Sequence, residues 1–360
     1  MQKHTFIFWC ITHFSMMLST HAQTETYQQA FQKATQAGFS GVALVAQNGK
    51  IVFYEATGKR HFETNTPLQK TDIFELASVS KQFTAMVVMM LQEKGKLQYD
   101  DPLDKYLKVP YPNITVRQLL HHTSGLPDYQ DIMDKHWDKT KVASNADIID
   151  YLSRYAPPAL FKPGEKYEYS NTGYVLLASV AEKASGQDFI ELCRRWIFEP
   201  LNMTNTDIRT LEAKAKVPNF AAGHLKNEQG QYINANQFHA SDYTVWLGNR
   251  KGPGRISSTA EDLLKWDQAL YTTQLINENT RNQAFSPAKL NSGMVSNYGF
   301  GWDIEQDTAG GRIVQHAGDN PGYRTIIVRC IDQGKTVIVL NNNAHEAMEP
   351  LTQALKTLNN

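Results

Sequence analysis

Short strand-forming runs stand near the two ends of this chain, and helix-spaced segments fill the middle. That layout constrains the fold more than any single motif, because a half-buried strand needs partners, and here the two ends must supply them to each other. Residues 41–46 and 51–55 read as strands, and Asn48-Gly49 between them is a hairpin signal. Toward the other end, residues 298–304, 312–315, 325–331 and 336–340 read as strands, with Asp332-Gln333-Gly334 joining the last two. A helix over residues 24–37 precedes the first strands. A final helix follows Asn343, with Ala347, Leu351, Ala354 and Leu358 spaced for one face. Between the ends, residues 78–94, 115–122, 147–155, 172–184, 188–198 and 260–270 carry helical spacing, and residues 85–91 are apolar almost all round, as in a buried helix. Residues 205–254 lack a pattern and are expected to form long loops. The expected fold class is α/β of the α+β type. An antiparallel sheet built from both termini (residues 23–75 and 295–360) is flanked by helices and carries an inserted, mostly helical subdomain (residues 76–294).

Charge removes several function classes. Lys+Arg and Asp+Glu both number 36, so there is no general basic field for nucleic acid and no support for an anionic membrane surface. Apolar residues make up 41% and mean hydropathy is −0.45, which fits a chain with a sizeable packed core. Only Cys10, Cys193 and Cys330 are present, without a Cys-x-x-Cys pair, so neither a disulfide framework nor a structural zinc site is expected. Whether Cys193 and Cys330 pair is not legible from spacing. Lys3 and His4 precede an apolar run over residues 6–18, and Thr20-His21-Ala22 then offers small residues. This is the layout of a signal peptide over residues 1–22 and implies a secreted or periplasmic protein. The run is too short for a stable membrane span.

The chemistry-bearing motifs are few. No Gly-x-Ser-x-Gly and no His-Glu-x-x-His occurs. His121-His122 with Asp128 could suggest a metal, but neighbouring helical histidines face different ways, so no metal site is assigned. Ser-x-x-Lys occurs at Ser78–Lys81 and at Ser286–Lys289. On a helix, residues three apart share a face, and a lysine made neutral by burial can take a proton from such a serine. Ser78 opens the long buried helix, whereas Pro287 makes the second copy look like a loop. Tyr-x-Asn occurs at Tyr111, Tyr169 and Tyr232, and only Tyr169-Ser170-Asn171 leads straight into an apolar helix. His316-Ala317-Gly318 lies between two strands, where a glycine would let a substrate backbone come close.

Taken in order, Ser78/Lys81, Tyr169/Asn171 and His316/Gly318 resemble the signature of the serine β-lactamase and penicillin-binding-protein superfamily, most closely its class C β-lactamase-like and D-Ala-D-Ala carboxypeptidase-like branch. The resemblance covers roughly residues 25–345. It extends to the segments around Arg117–Leu126, Phe161–Gly164, Ser258–Leu263 and Tyr298–Trp302. It implies the β-lactamase/DD-peptidase-like fold and a serine hydrolase needing no cofactor. Ser78 would be the acylated nucleophile, Lys81 or Tyr169 the main base, and Tyr169 the relay to the leaving group. Asn171 would position a small-molecule or peptide substrate, and the backbone N–H groups of Ser78 and Asp319 would form the oxyanion hole. The usual lysine of the third motif is replaced by His316. A histidine carries less charge near neutrality, which favours D-amino-acid peptides or small esters over carboxylated β-lactams. Asp319 adds negative charge beside the cleft, and Arg324 is a candidate carboxylate partner. The alternative reading is a penicillin-sensing or degenerate module that is acylated without turnover.

Overall fold

The computed structural model describes residues 26–307 and 310–358, so the leader expected over residues 1–22, and Cys10 within it, lie outside the described residues. The sheet is built from both termini, as expected. Its strands are β1 (Gly41–Gln47), β2 (Lys50–Thr57), β3 (Asp303–Gln306), β4 (Arg312–Asn320), β5 (Tyr323–Cys330) and β6 (Lys335–Asn341), in the spatial order β3-β4-β5-β6-β1-β2. All neighbours are antiparallel. The seam joining the chain's two ends is β1 against β6, with Gly41 opposite Asn341 and Gln47 opposite Lys335. Asn48 and Gly49 turn β1 into β2 with φ of 50° and 75°, the left-handed pair that a two-residue hairpin demands.

β1 reads as an unbroken apolar run because both of its faces are covered. Ala43 and Val45 pack with Tyr27 and Phe31 of α1 (residues 26–37) and with Leu351 and Leu355 of α5 (Met348–Thr357). Val42, Leu44 and Ala46 point the other way, into the large core that holds Phe83 of α2 (Lys81–Glu93), Leu176 of α3 (Asn171–Ser185) and Trp266 of α4 (Ala260–Ala269). α4 is tied to the sheet by polar contacts as well. Asp267 pairs with buried Arg329 and accepts a 2.8 Å hydrogen bond from the Thr336 hydroxyl.

Three expectations need correction. Residues 298–302 are not strand. Tyr298, Phe300 and Trp302 alternate like one and are all buried, but the Gly299 N–H donates back to the Trp302 carbonyl and the Phe300 N–H to the Ala284 carbonyl. The alternation reflects three aromatics reaching the core from a turn. β4 runs to Asn320, five residues beyond the expected end, so the His-Ala-Gly motif lies on a strand instead of after one. The expected loops of residues 205–254 contain a short hairpin, His224–Lys226 with Tyr232–Asn234, and the helical turns Leu211–Ala215 and Tyr243–Trp246. Cys193 and Cys330 are both buried, and among the described residues neither is paired. Among the described residues no helix is long and apolar enough to cross a membrane.

Candidate active site

Ser78 stands on the 3-10 turn Ala77–Ser80 that feeds into α2, and its side chain caps no helix. Ala77 before it has φ of 49°, a left-handed conformation that is costly for a residue with a Cβ and is kept where the fold holds it in place. Lys81 begins α2 and is fully buried. Its Nζ lies 3.0 Å from Ser78 Oγ, 2.8 Å from Asn171 Oδ1 and 3.0 Å from the Pro253 carbonyl. Burial, reinforced by the nearby Arg250 cation, drives its pKa well below the ordinary lysine value, with Asp128 opposing weakly. An uncharged amine has two N–H groups and one lone pair. Asn171 Oδ1 and the Pro253 carbonyl can only accept, so they take the two N–H groups. In that form the lone pair faces the Ser78 hydroxyl and can take its proton, whereas the ammonium form donates to Ser78 Oγ.

Tyr169 precedes α3, whose start is capped by Ser170 Oγ accepting from the Gly173 N–H. The Tyr169 ring lies against His122, with centroids 4.4 Å apart, and Lys81 Nζ is 4.7 Å from its centroid. The ring is 39% exposed toward the cleft, yet protein crowds its surroundings. Burial raises the phenol pKa, and a hydrogen bond with Ser78 opposes the rise only in part. Tyr169 is therefore a protonated phenol over the whole physiological range. His121 and His122 serve different partners: His121 Nδ1 meets the Tyr298 carbonyl, and His122 Nδ1 accepts from the Ser170 N–H.

β4 brings in the third motif. The outer edge of β4 pairs with β3 only as far as Gln315, opposite Asp303, so the stretch from His316 onward is open to the cleft. His316 is buried. Its Nδ1 is 2.6 Å from the Ala317 carbonyl, which must accept, so Nδ1 carries the proton and Nε2 accepts from the Tyr298 hydroxyl at 2.8 Å. Burial first, and Lys81 second, push its pKa down to about 3, so it is uncharged near neutrality. The glycine of the motif has a different role from the one expected. A Cβ on Gly318 would sit 2.2 Å from the Leu76 carbonyl and 2.5 Å from Thr325 Oγ1. The close approach is made by the turn carrying Ser78, not by a substrate. Asp319 and Arg324 stand opposite each other on β4 and β5 and pair at 3.4 Å, so Arg324 already has a carboxylate partner.

All eight residues expected from the sequence meet at one place. Ser78, Tyr169, Asn171, His316, Gly318, Asp319 and Arg324 line a cleft of about 730 Å³, with Lys81 in its floor behind Ser78. The second Ser-x-x-Lys is not a site: Ser286 Oγ donates to the Asn282 carbonyl, and Lys289 lies on a two-residue strand. Pro253, Tyr298, Arg250 and Asp303 belong to the site without being legible as such in the chain. Pro253 and Arg250 fall in the segment without pattern. Tyr298 is visible in the sequence as part of a family-like segment and of a false strand, but not as a partner of His316.

A serine held against a desolvated lysine, beside a phenol and an open strand edge, is the apparatus of a serine hydrolase. The comparisons agree with that class. Residues 26–358 match the model of the Beta-lactamase family, and the chain belongs to that family. It is 39% identical to a penicillin-binding protein of Bacillus subtilis (strain 168), over 86% of this chain and 69% of the relative. It is 26% identical to a D-aminopeptidase of Brucella anthropi, over 85% of this chain and 56% of that protein. The crystal structure of a penicillin-binding protein from Bacillus halodurans superposes with a TM-score of 0.78 at 26% identity, covering 94% of this chain and 98% of that one.

Proposed function

We propose that this protein hydrolyses amides or esters of small acyl donors, D-amino-acid derivatives foremost, through an acyl-enzyme on Ser78. The observation that carries this reading is the three-way contact of Lys81 with Ser78, Asn171 and Pro253. Lys81 takes the Ser78 proton as Oγ attacks the acyl carbonyl. The N–H groups of Ser78 and Asp319 receive the oxyanion. Tyr169, protonated, gives its proton to the departing nitrogen or oxygen, and the Lys81 ammonium beside its ring returns one. Water then enters where the leaving group was and releases the acid by the reverse sequence. The D-amino-acid preference is supported by the named D-aminopeptidase relative. The leader-like layout of residues 1–22 supports action outside the cytoplasm.

The leaving-group side bears on substrate choice. Tyr169 opens onto the 730 Å³ cleft, so the leaving group lies there, among Asp303, Glu305, Asp319 and Glu349 and only two cations, Arg324 and Lys356. Four carboxylates against two cations leave an excess of two negative charges, and His316 adds none of the positive charge a lysine would. A departing carboxylate is disfavoured there, so uncharged amine, amide or alcohol leaving groups should exceed D-Ala and β-lactam donors. The test is a panel of p-nitrophenyl esters, D-aminoacyl amides, a D-Ala-D-Ala peptide and a chromogenic cephalosporin. A D-Ala-D-Ala peptide or cephalosporin turned over faster than every amide and ester would refute the reading, and a permanent penicillin label without turnover would favour the sensor.

Two expected results follow from the same charges. Burial, helped by Glu305, raises the Asp303 pKa to about 6. Below that pH the carboxyl is neutral and above it charged. The kcat/KM ratio of a peptide with a C-terminal amide to the same peptide with a free carboxylate should therefore climb as pH rises through about 6. Asp303→Asn should flatten that climb, and a climb of the same size in the variant would dismiss Asp303 as its source. His316→Lys should raise kcat/KM for a carboxylated β-lactam relative to a neutral ester by about tenfold, roughly 1.4 kcal/mol. Total activity should fall, because the new cation is buried near Lys81 and displaces the bond from Tyr298. An unchanged ratio in a folded variant would show that this position does not set specificity.

A further inference from the structure

We propose that the acyl side of this site recognises a carboxylate, so that the substrate carries an acidic group on its acyl portion. The proposal rests on the reading of Ser78 as the acylated nucleophile. If the leaving group departs on the Tyr169 side, the acyl group must extend the other way. There Ser78 and Asn171 border a pocket of about 80 Å³ whose wall includes Glu75, Arg250 and Arg255. Glu75 and Arg255, with Asn320, also line a further cavity of about 460 Å³ beyond it.

The cations in this region outnumber the carboxylates facing them. Glu75 is buried, and burial works against its charge. Lys214, Arg255 and Arg250 overcome that and hold its carboxyl at about 2. Both of its oxygens are already engaged, one by the Lys214 ammonium and one by the Asn320 amide. Lys214 therefore matches the charge of Glu75, and the two arginines remain. Arg255 is 2% exposed and gives Nη1 to the Thr244 carbonyl at 3.2 Å, while its Nε and Nη2 are buried without a hydrogen-bond partner among the described residues. Arg250 gives Nη1 to the Tyr129 phenol oxygen, and its Nε is likewise buried without a partner. Two other carboxylates stand nearby: Asp319 lines the same pocket but pairs with Arg324, and Asp128, which accepts from the Gln130 N–H, is pushed above the ordinary carboxylate pKa by burial, so its negative charge is disfavoured. A buried guanidinium with unused N–H groups is costly unless something fills them, and a carboxylate is the planar acceptor that fits its fork. Arg255 also has φ of 81°, the left-handed region in which a glycine would be unstrained. An arginine is held there against backbone preference, as residues at ligand sites often are. The two sides of Ser78 thus carry opposite charge, and an acyl donor with a short acidic chain and an uncharged leaving group fits both.

The test can be run before the natural substrate is identified. A fluorophosphonate label on Ser78 is competed with alkylboronic acids, which bond reversibly to a serine oxygen. Each ends in a carboxylate or in the matching carboxamide, with two to four methylenes. Carboxylates should protect Ser78 at about tenfold lower concentration than carboxamides at one chain length or more. Arg250→Gln and Arg255→Gln, each confirmed as folded by thermal melting, should shrink that ratio toward one, and Arg250→Lys should keep part of it. Arg324→Gln should leave the ratio in place, because that cation lies on the leaving-group side. Carboxamides protecting as well as carboxylates at every length would overturn the proposal, as would a ratio that disappears with Arg324→Gln instead. If either glutamine variant does not fold, the wild-type ratio and the Arg250→Lys and Arg324→Gln variants decide. A fluorophosphonate label landing elsewhere than Ser78 would overturn the nucleophile reading beneath it, so the two failures are told apart.

Discussion

Ser78→Ala will fold, yet it will take no fluorophosphonate label and will lose turnover of every acyl donor by about 10⁶-fold, the scale seen when a hydrolase loses its nucleophile. The loss should be near complete because, among the described residues, no other hydroxyl stands in the same relation to Lys81. The amine touches Ser78 Oγ at 3.0 Å, and its other two contacts are carbonyl oxygens. Folding should survive because Ser78 caps no helix and the turn is held by its backbone and by the packing of Gly318 against Leu76. Ser286→Ala is the matched control and should label like the wild type, since its hydroxyl serves only the Asn282 carbonyl. Intact-mass spectrometry of the labelled proteins reads both results. A label retained by Ser78→Ala and lost by Ser286→Ala would move the nucleophile to the second motif.

Acylation of Lys81→Arg should be slower than wild type by about 10²–10⁴, the usual cost of losing a positioned base. Arginine keeps a cation but cannot give up its proton in a protein. The pocket around Lys81 is closed, so Lys81→Met, close in length and uncharged, is the companion variant, and it should show a similar defect without the larger head. The pH profile separates a base from a fixed charge. Burial depresses the lysine pKa, so the amine is uncharged above that lowered value and protonated below it. Wild-type acylation should therefore fall as pH drops through that value and stay level above it, with the break well below the ordinary lysine range. Tyr169 cannot produce that break, because its phenol pKa is shifted upward. Single-turnover acylation from pH 6 to 10 measures all three proteins. An arginine variant within about threefold of wild type would end the base assignment and pass the role to Tyr169.

Much of this site is legible in the chain because its parts are local. Ser-x-x-Lys at the start of a buried helix, and Tyr-x-Asn at the start of another, state their own geometry: a helix entrance fixes which residues share a face and which backbone groups are open. The sheet from both termini is legible for a related reason, since the strands alternate or run apolar wherever their faces are covered. The failures have a common cause too. Tyr298, Phe300 and Trp302 repeat with the period of a strand while forming a turn, because burial alone sets the pattern and the core can be reached from either geometry. Gly318 suggests room for substrate, but its actual neighbour is the Leu76 carbonyl, a contact between residues far apart in sequence.

What the sequence by itself determined is therefore the family, the sheet-and-helix layout and which residues gather around the cleft. Only the tertiary structure decided their charge states. Burial works against the Lys81 charge, Tyr169 keeps its proton because of what is packed around it, and His316 is neutral because it is buried against Tyr298. The same holds for the polarity of the site. Arg250 and Arg255 come from a stretch with no readable pattern, and Asp303 and Glu349 from opposite ends of the C-terminal region. Desolvation and Coulomb interaction depend on distance in space and on the surrounding dielectric. Neither quantity is written in residue order, so the motifs could be named from the chain, while the charge around them had to wait for the fold.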